Sequence, residues 1–125
     1  MDTLQKATAI VAIAFGLATV AAGGRVLAGG DPGYVVYLPL LVFNTVMGVA
    51  YIGAGVAAWR NARRGRSAAG AIALLNFLVL LFIVYQYQRG SAVAVDSVRA
   101  MTFRTAVWLV LLAAMTLVLR RSRAA

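Results

Sequence analysis

The sequence has no cysteine, no histidine and no glutamate, and its acidic residues are three aspartates, Asp2, Asp31 and Asp96. Without cysteine and histidine there are no disulfides, no thiol redox chemistry, no metal ligation by those residues and no axial haem ligation by them. One aspartate lies near the start and two fall in expected connections, so no pair of carboxylates is spaced along a helix face for general acid–base work. Serine, threonine and tyrosine are present, but no histidine base accompanies them. The expectation is a protein that is not an enzyme and carries no cofactor or metal.

Charge is also scarce. Charged residues make up 12% of the chain, against about 25% in a typical soluble domain. So few charges could hardly cover a water-exposed surface. What is abundant instead is apolar sequence: 63% hydrophobic residues over 125 positions, with a mean hydropathy of +0.90. The class implied is an integral membrane protein, with room for one small bundle and no second domain.

Four apolar runs are separated by polar punctuation. Residues 7–24 are nearly continuous Ala, Val, Ile, Leu, Phe and Gly, and extend to a span near residue 28. A cleaved signal peptide competes with that reading, but the preceding stretch offers one lysine, Lys6, offset by Asp2, so an uncleaved helix is expected. Gly29, Gly30, Asp31, Pro32 and Gly33 then mark a turn. The second run carries Tyr34 and Tyr37 at one end and Trp59 at the other, as aromatic residues at headgroup depth do. Pro39 falls in its first turn, where a missing N–H costs little. The third run ends in Tyr85-Gln86-Tyr87-Gln88-Arg89, and residues 90–100 form either an extended connection or an early start to the fourth helix. The expected fold is an all-α membrane protein: one domain over 1–125, with four transmembrane helices near 5–28, 35–59, 68–88 and 101–120, in an up-down-up-down antiparallel bundle.

The net charge of +9 is explained by topology rather than by nucleic acid, since no separate polar domain exists to hold a duplex. Arg60, Arg63, Arg64 and Arg66 form an expected hairpin loop between the second and third spans. If that loop is cytoplasmic, Lys6 and the terminal Arg120, Arg121 and Arg123 are also inside, giving eight basic residues there against four, Arg25, Arg89, Arg99 and Arg104, outside. Both termini are then inside, in a bacterial or archaeal cytoplasmic membrane. The inner arginines are expected to meet anionic lipid.

The singled-out residues fall into three groups. Gly16, Gly23, Gly48 and Gly55 are candidates for close helix packing, since small residues let backbones approach in lipid. Asn44, Tyr51 and Asn76 are polar within the spans, so they either bond between helices or line a polar path. Arg25, Asp31, Arg89, Asp96, Arg99 and Arg104 could gather into an outer anion or headgroup cluster. Arg104 is expected one turn inside its span, snorkelling or paired with Asp96 or Asp31.

The small multidrug exporters are similar in size and span number, but that family implies a membrane-embedded glutamate in the first helix, and this sequence has none. Asn44 followed by Gly48 is similar to the glycine-rich second helix of fluoride channels. The Phe-Ser-Thr-rich third helix of that family is replaced here by Leu74-Leu75-Asn76-Phe77-Leu78. Three functions remain in view: an accessory, structural or assembly component acting through helix and lipid contacts, as an oligomer or with a larger membrane partner; a transporter or channel for a small or anionic solute; and a headgroup-binding protein at the outer leaflet. The charge distribution makes a first prediction. Reporter fusions at the two termini should report the same side of the membrane, and opposite sides would refute four spans.

Overall fold

The computed structural model describes residues 2–124, with only the backbone given for Arg123 and Ala124; the lipid contact expected of Arg123 therefore lies outside the described side chains. Four helices account for nearly all of it: α1 (Thr3–Leu27), α2 (Leu38–Arg60), α3 (Ala62–Gln88) and α4 (Val95–Ala124). All four are long and apolar enough to cross a membrane.

The helix ends follow from local chemistry. Asp2 caps α1 by accepting from the Leu4 N–H at 2.8 Å. The chain leaves α1 through Gly29, whose φ of +107° suits glycine. Pro39 sits in the first turn of α2. The structure departs from the sequence expectation between α2 and α3. The expected arginine loop and a third helix starting at 68 are replaced by a one-residue link, Asn61, with α3 already helical at Ala62. Asn61 is extended, and its Oδ1 accepts from the N–H groups of Arg63 and Arg64 at 3.0 and 3.2 Å. Gly65 permits so tight a turn, since a Cβ built there would lie 2.5 Å from the Ala58 Cα. The arginines are thus helical residues, Arg60 closing α2 and the others opening α3. The fourth helix likewise begins at Val95 rather than near 101.

The helices that pack are α1 with α2, α3 with α4, α2 with α3 and, least extensively, α1 with α4. The α1–α2 seam is backbone against backbone. A Cβ on Gly16 would sit 2.7 Å from the Gly48 carbonyl oxygen, and one on Gly55 would sit 2.9 Å from the Ala9 carbonyl oxygen. Gly48 lies against Val20 and Thr19, and Gly23 against the Thr45 side chain. Position numbers rise along α1 as they fall along α2. Lipid tails are as apolar as leucine, so helices that cross a membrane associate through close contact of this kind rather than through hydrophobic exclusion.

Three layers fill the interior. Ala9, Ala58 and Met115 meet at the arginine end. Ala12, Met47, Tyr51, Ala54, Ala69, Ile72, Ala73, Trp108 and Leu111 form the middle. Leu40, Ile83, Val93 and Met101 close the end that carries the two longer connections, the loop end. At the arginine end Gln5 Nε2 donates to the Ala58 carbonyl at 2.7 Å, satisfying a carbonyl of the last turn of α2.

Gly16→Leu should destabilise the protein by about 1–3 kcal/mol through overpacking. Gly53, with nothing within 4 Å of a built Cβ, should accept leucine without loss. Detergent-solubilised thermal unfolding of the two variants checks this, and equal effects would show that the α1–α2 seam is not close-packed.

Candidate functional site

Two polar features lie inside the helical assembly, and they are separate. The first belongs to the middle layer. Asn76 Nδ2 donates to the Tyr51 hydroxyl at 3.0 Å, and that hydroxyl lies 3.3 Å from Asn76 Oδ1. Both residues are fully buried. Tyr51 also packs its ring against Trp108, centroids 4.8 Å apart, and against Phe15 at 5.5 Å. This pair links α2 to α3 and is sealed from solvent. Asn44 is not part of it.

The second feature is a cavity of about 400 Å³ at the loop end, between α1, α2, α4 and the 28–37 connection. Its size falls within the usual range for small-molecule sites, about 300–1,000 Å³. Arg104 from α4, Arg25 from the end of α1, Asn44 from α2, Ser97 from the start of α4 and Asp31, Tyr34 and Tyr37 from the connection line it together with apolar residues. Two cationic groups and one carboxylate give it a net positive lining.

Arg104 is the best-defined member. It is the tenth residue of α4, deeper in its helix than the sequence suggested, and is partly buried. Its Nη1 donates to Thr19 Oγ1 at 2.9 Å, and its guanidinium lies over the Phe15 ring at 5.6 Å. Thr19 in turn donates its hydroxyl hydrogen to the Phe15 carbonyl at 2.8 Å, which turns a lone pair towards Arg104. The partner is therefore an α1 hydroxyl, not Asp96 or Asp31. A guanidinium has five N–H donors, and this bond uses one of them. Asn44 adds an amide at the deep side of the cavity, seven residues into α2, with its Oδ1 buried and unpartnered. Leaving such an acceptor unsatisfied costs about 1–3 kcal/mol. Among the described residues, Trp108 Nε1 is the other buried polar side-chain atom without a partner.

The expected outer cluster divides. Arg25, Asp31 and Arg104 line the cavity; Arg89, Asp96 and Arg99 do not. Arg89 lies over the Tyr85 ring at 5.3 Å, Asp31 Oδ1 accepts from Gly33 N–H at 2.8 Å, and Asp96 and Arg99 are exposed on the first turns of α4. Arg60, Arg63, Arg64, Arg66, Arg120 and Arg121 are exposed at the opposite end, where Arg66 Nε also donates to Thr116 Oγ1 at 3.1 Å. Thr19, Ser97 and Phe15 were not singled out in the sequence; a threonine in an apolar run carries no signal until its neighbour is known. Comparisons with protein-family models, curated proteins and solved structures found no match.

The Tyr51–Asn76 pair can be tested by a double-mutant cycle. Tyr51→Phe and Asn76→Leu should each cost about 0.5–2 kcal/mol, the range of hydrogen bonds between membrane helices. The double variant should cost clearly less than their sum, because no orphaned partner remains. Strict additivity in detergent unfolding would mean that the two side chains do not interact.

Proposed function

We propose that this is a small integral membrane protein that acts through lipid contact, holding a phosphate-bearing headgroup in the Arg104 cavity at the outer surface. The observation that carries the reading is the pair of guanidinium groups lining one concavity: that of Arg104, braced on Thr19, and that of Arg25 at the rim. Fixed N–H donors around a concavity suit a phosphate, and arginine's planar fork matches its oxygens. The orientation rests on charge. Six described arginines gather where α2 ends, α3 begins and α4 ends, and the positive-inside tendency assigns that end to the cytoplasm. In this reading the four helices alternate up and down, both termini are inside, and the cavity faces out.

Transport is the weaker reading. A solute path along the bundle would have to pass the Tyr51–Asn76–Trp108 layer, whose three residues are at most 1% exposed. A role as an accessory to a larger membrane partner is compatible with lipid binding, but the apolar exterior that suggests it needs no more than bilayer lipid to cover it.

Native mass spectrometry of the protein released from membranes tests the reading. The wild type should retain an anionic phospholipid. Arg104→Gln should weaken that retention about tenfold, the equivalent of one charge-assisted hydrogen bond. Arg99→Gln, outside the cavity, should leave it unchanged. An equal loss in both variants would point to general surface charge instead of this cavity.

A further inference from the structure

The cavity does not end at Arg104. A second, shallow groove of about 240 Å³ runs along the α1–α4 seam, lined by Phe15, Ala18, Thr19, Ala22, Ala100, Phe103 and Arg104. Four of these residues, Thr19, Ala22, Ala100 and Arg104, also line the cavity. The two spaces therefore share a wall, and Arg104 stands on it. Their chemistry differs sharply. The cavity is rimmed by charge and hydroxyls, whereas the groove beyond Arg104 and Thr19 is purely apolar, with Phe103 61% exposed.

We infer that this groove is the track for a lipid acyl chain, and that the ligand of the cavity is a whole phospholipid with an anionic headgroup, reaching it sideways from the bilayer between α1 and α4. The proposal rests on the headgroup reading above and names its source. Three observations support it. The α1–α4 seam is the least extensively packed of the four, so it is where a chain can lie without opening a close-packed seam. The groove faces the surface that lipid covers, along two helices able to cross the membrane. A headgroup at Arg104 and a chain descending past Phe15, Ala18 and Phe103 satisfy both spaces with one molecule, and the negative phosphate complements the positive lining.

The test titrates delipidated protein in detergent with three probes: phosphatidylglycerol, its water-soluble headgroup glycerophosphoglycerol, and uncharged diacylglycerol. Ala18→Trp fills the groove without touching the cavity, and Phe103→Ala strips one wall of it; both positions are exposed, so folding is spared. Ala71→Trp, exposed on α3, is the control. Phosphatidylglycerol should bind; Ala18→Trp should weaken it about tenfold and Phe103→Ala by a smaller factor, with Ala71→Trp unchanged. The soluble headgroup, even in large excess, should compete poorly, and diacylglycerol should bind poorly for want of a phosphate. If the soluble headgroup competes as well as the whole lipid, or if neither groove variant changes binding while Arg104→Gln does, the acyl track is wrong and the headgroup site stands. If phosphatidylglycerol does not bind the wild type, both fall.

Discussion

The close approach of α1 and α2 at glycine is the constraint on which the remaining geometry depends. Gly16 and Gly48 bring the two backbones so near that neither position has room for a Cβ, and Gly55 repeats this near the arginine end. In lipid such contact is the principal attraction between helices, because burial of apolar surface gains little there. With α2 held so tightly to α1, the other side of α1 meets α4 through larger groups: Phe15, Thr19 and Arg104, with Phe103 beside them. Bulky and charged groups cannot pack as closely as glycine. The cavity and its groove occur along that looser seam.

A charged side chain this far into a spanning helix is costly unless it has partners or reaches water. Arg104 has both. Thr19 accepts one bond, Phe15 offers the face of its ring, and the cavity opens towards the loop end. The Thr19 oxygen is available because its own proton goes to the Phe15 carbonyl. Thus α1 supplies the acceptor, the ring and the bounding wall of small residues. Asn44 and Asn76 show the same economy from opposite directions: Asn76 is completed by Tyr51, whereas the Asn44 oxygen stays unpartnered beside the cavity.

Much of the architecture was legible in the sequence, and the failures have physical causes. Four long apolar runs announce four membrane-crossing helices, because hydrocarbon leaves the backbone few other options. The glycines of α1 and α2 could be picked out by spacing, although spacing does not say which helix each will face. The arginine segment misled because consecutive charges resemble a loop. Asn61 as a cap and Gly65 against Ala58 allow the helix to begin earlier, and arginine is a good helix former. The site itself was only half legible. Arg104 stands out as a charge in an apolar run, but its partner is 85 residues away and belongs to a helix that sequence order does not identify as its neighbour. Tyr51 and Asn76 stand out as polar residues within the apolar runs, but nothing in a spacing of 25 residues says that they bond to each other.

The most direct measurement of the central claim is a nitrogen–phosphorus dipolar coupling by solid-state NMR, with ¹⁵N-labelled arginine in bilayers containing phosphatidylglycerol. Arg104→Gln identifies the signal. The account predicts a contact-range coupling between lipid phosphorus and the Arg104 guanidinium, stronger than that for Arg89 or Arg99. An Arg104 signal with no more phosphorus contact than those two exposed arginines would contradict it.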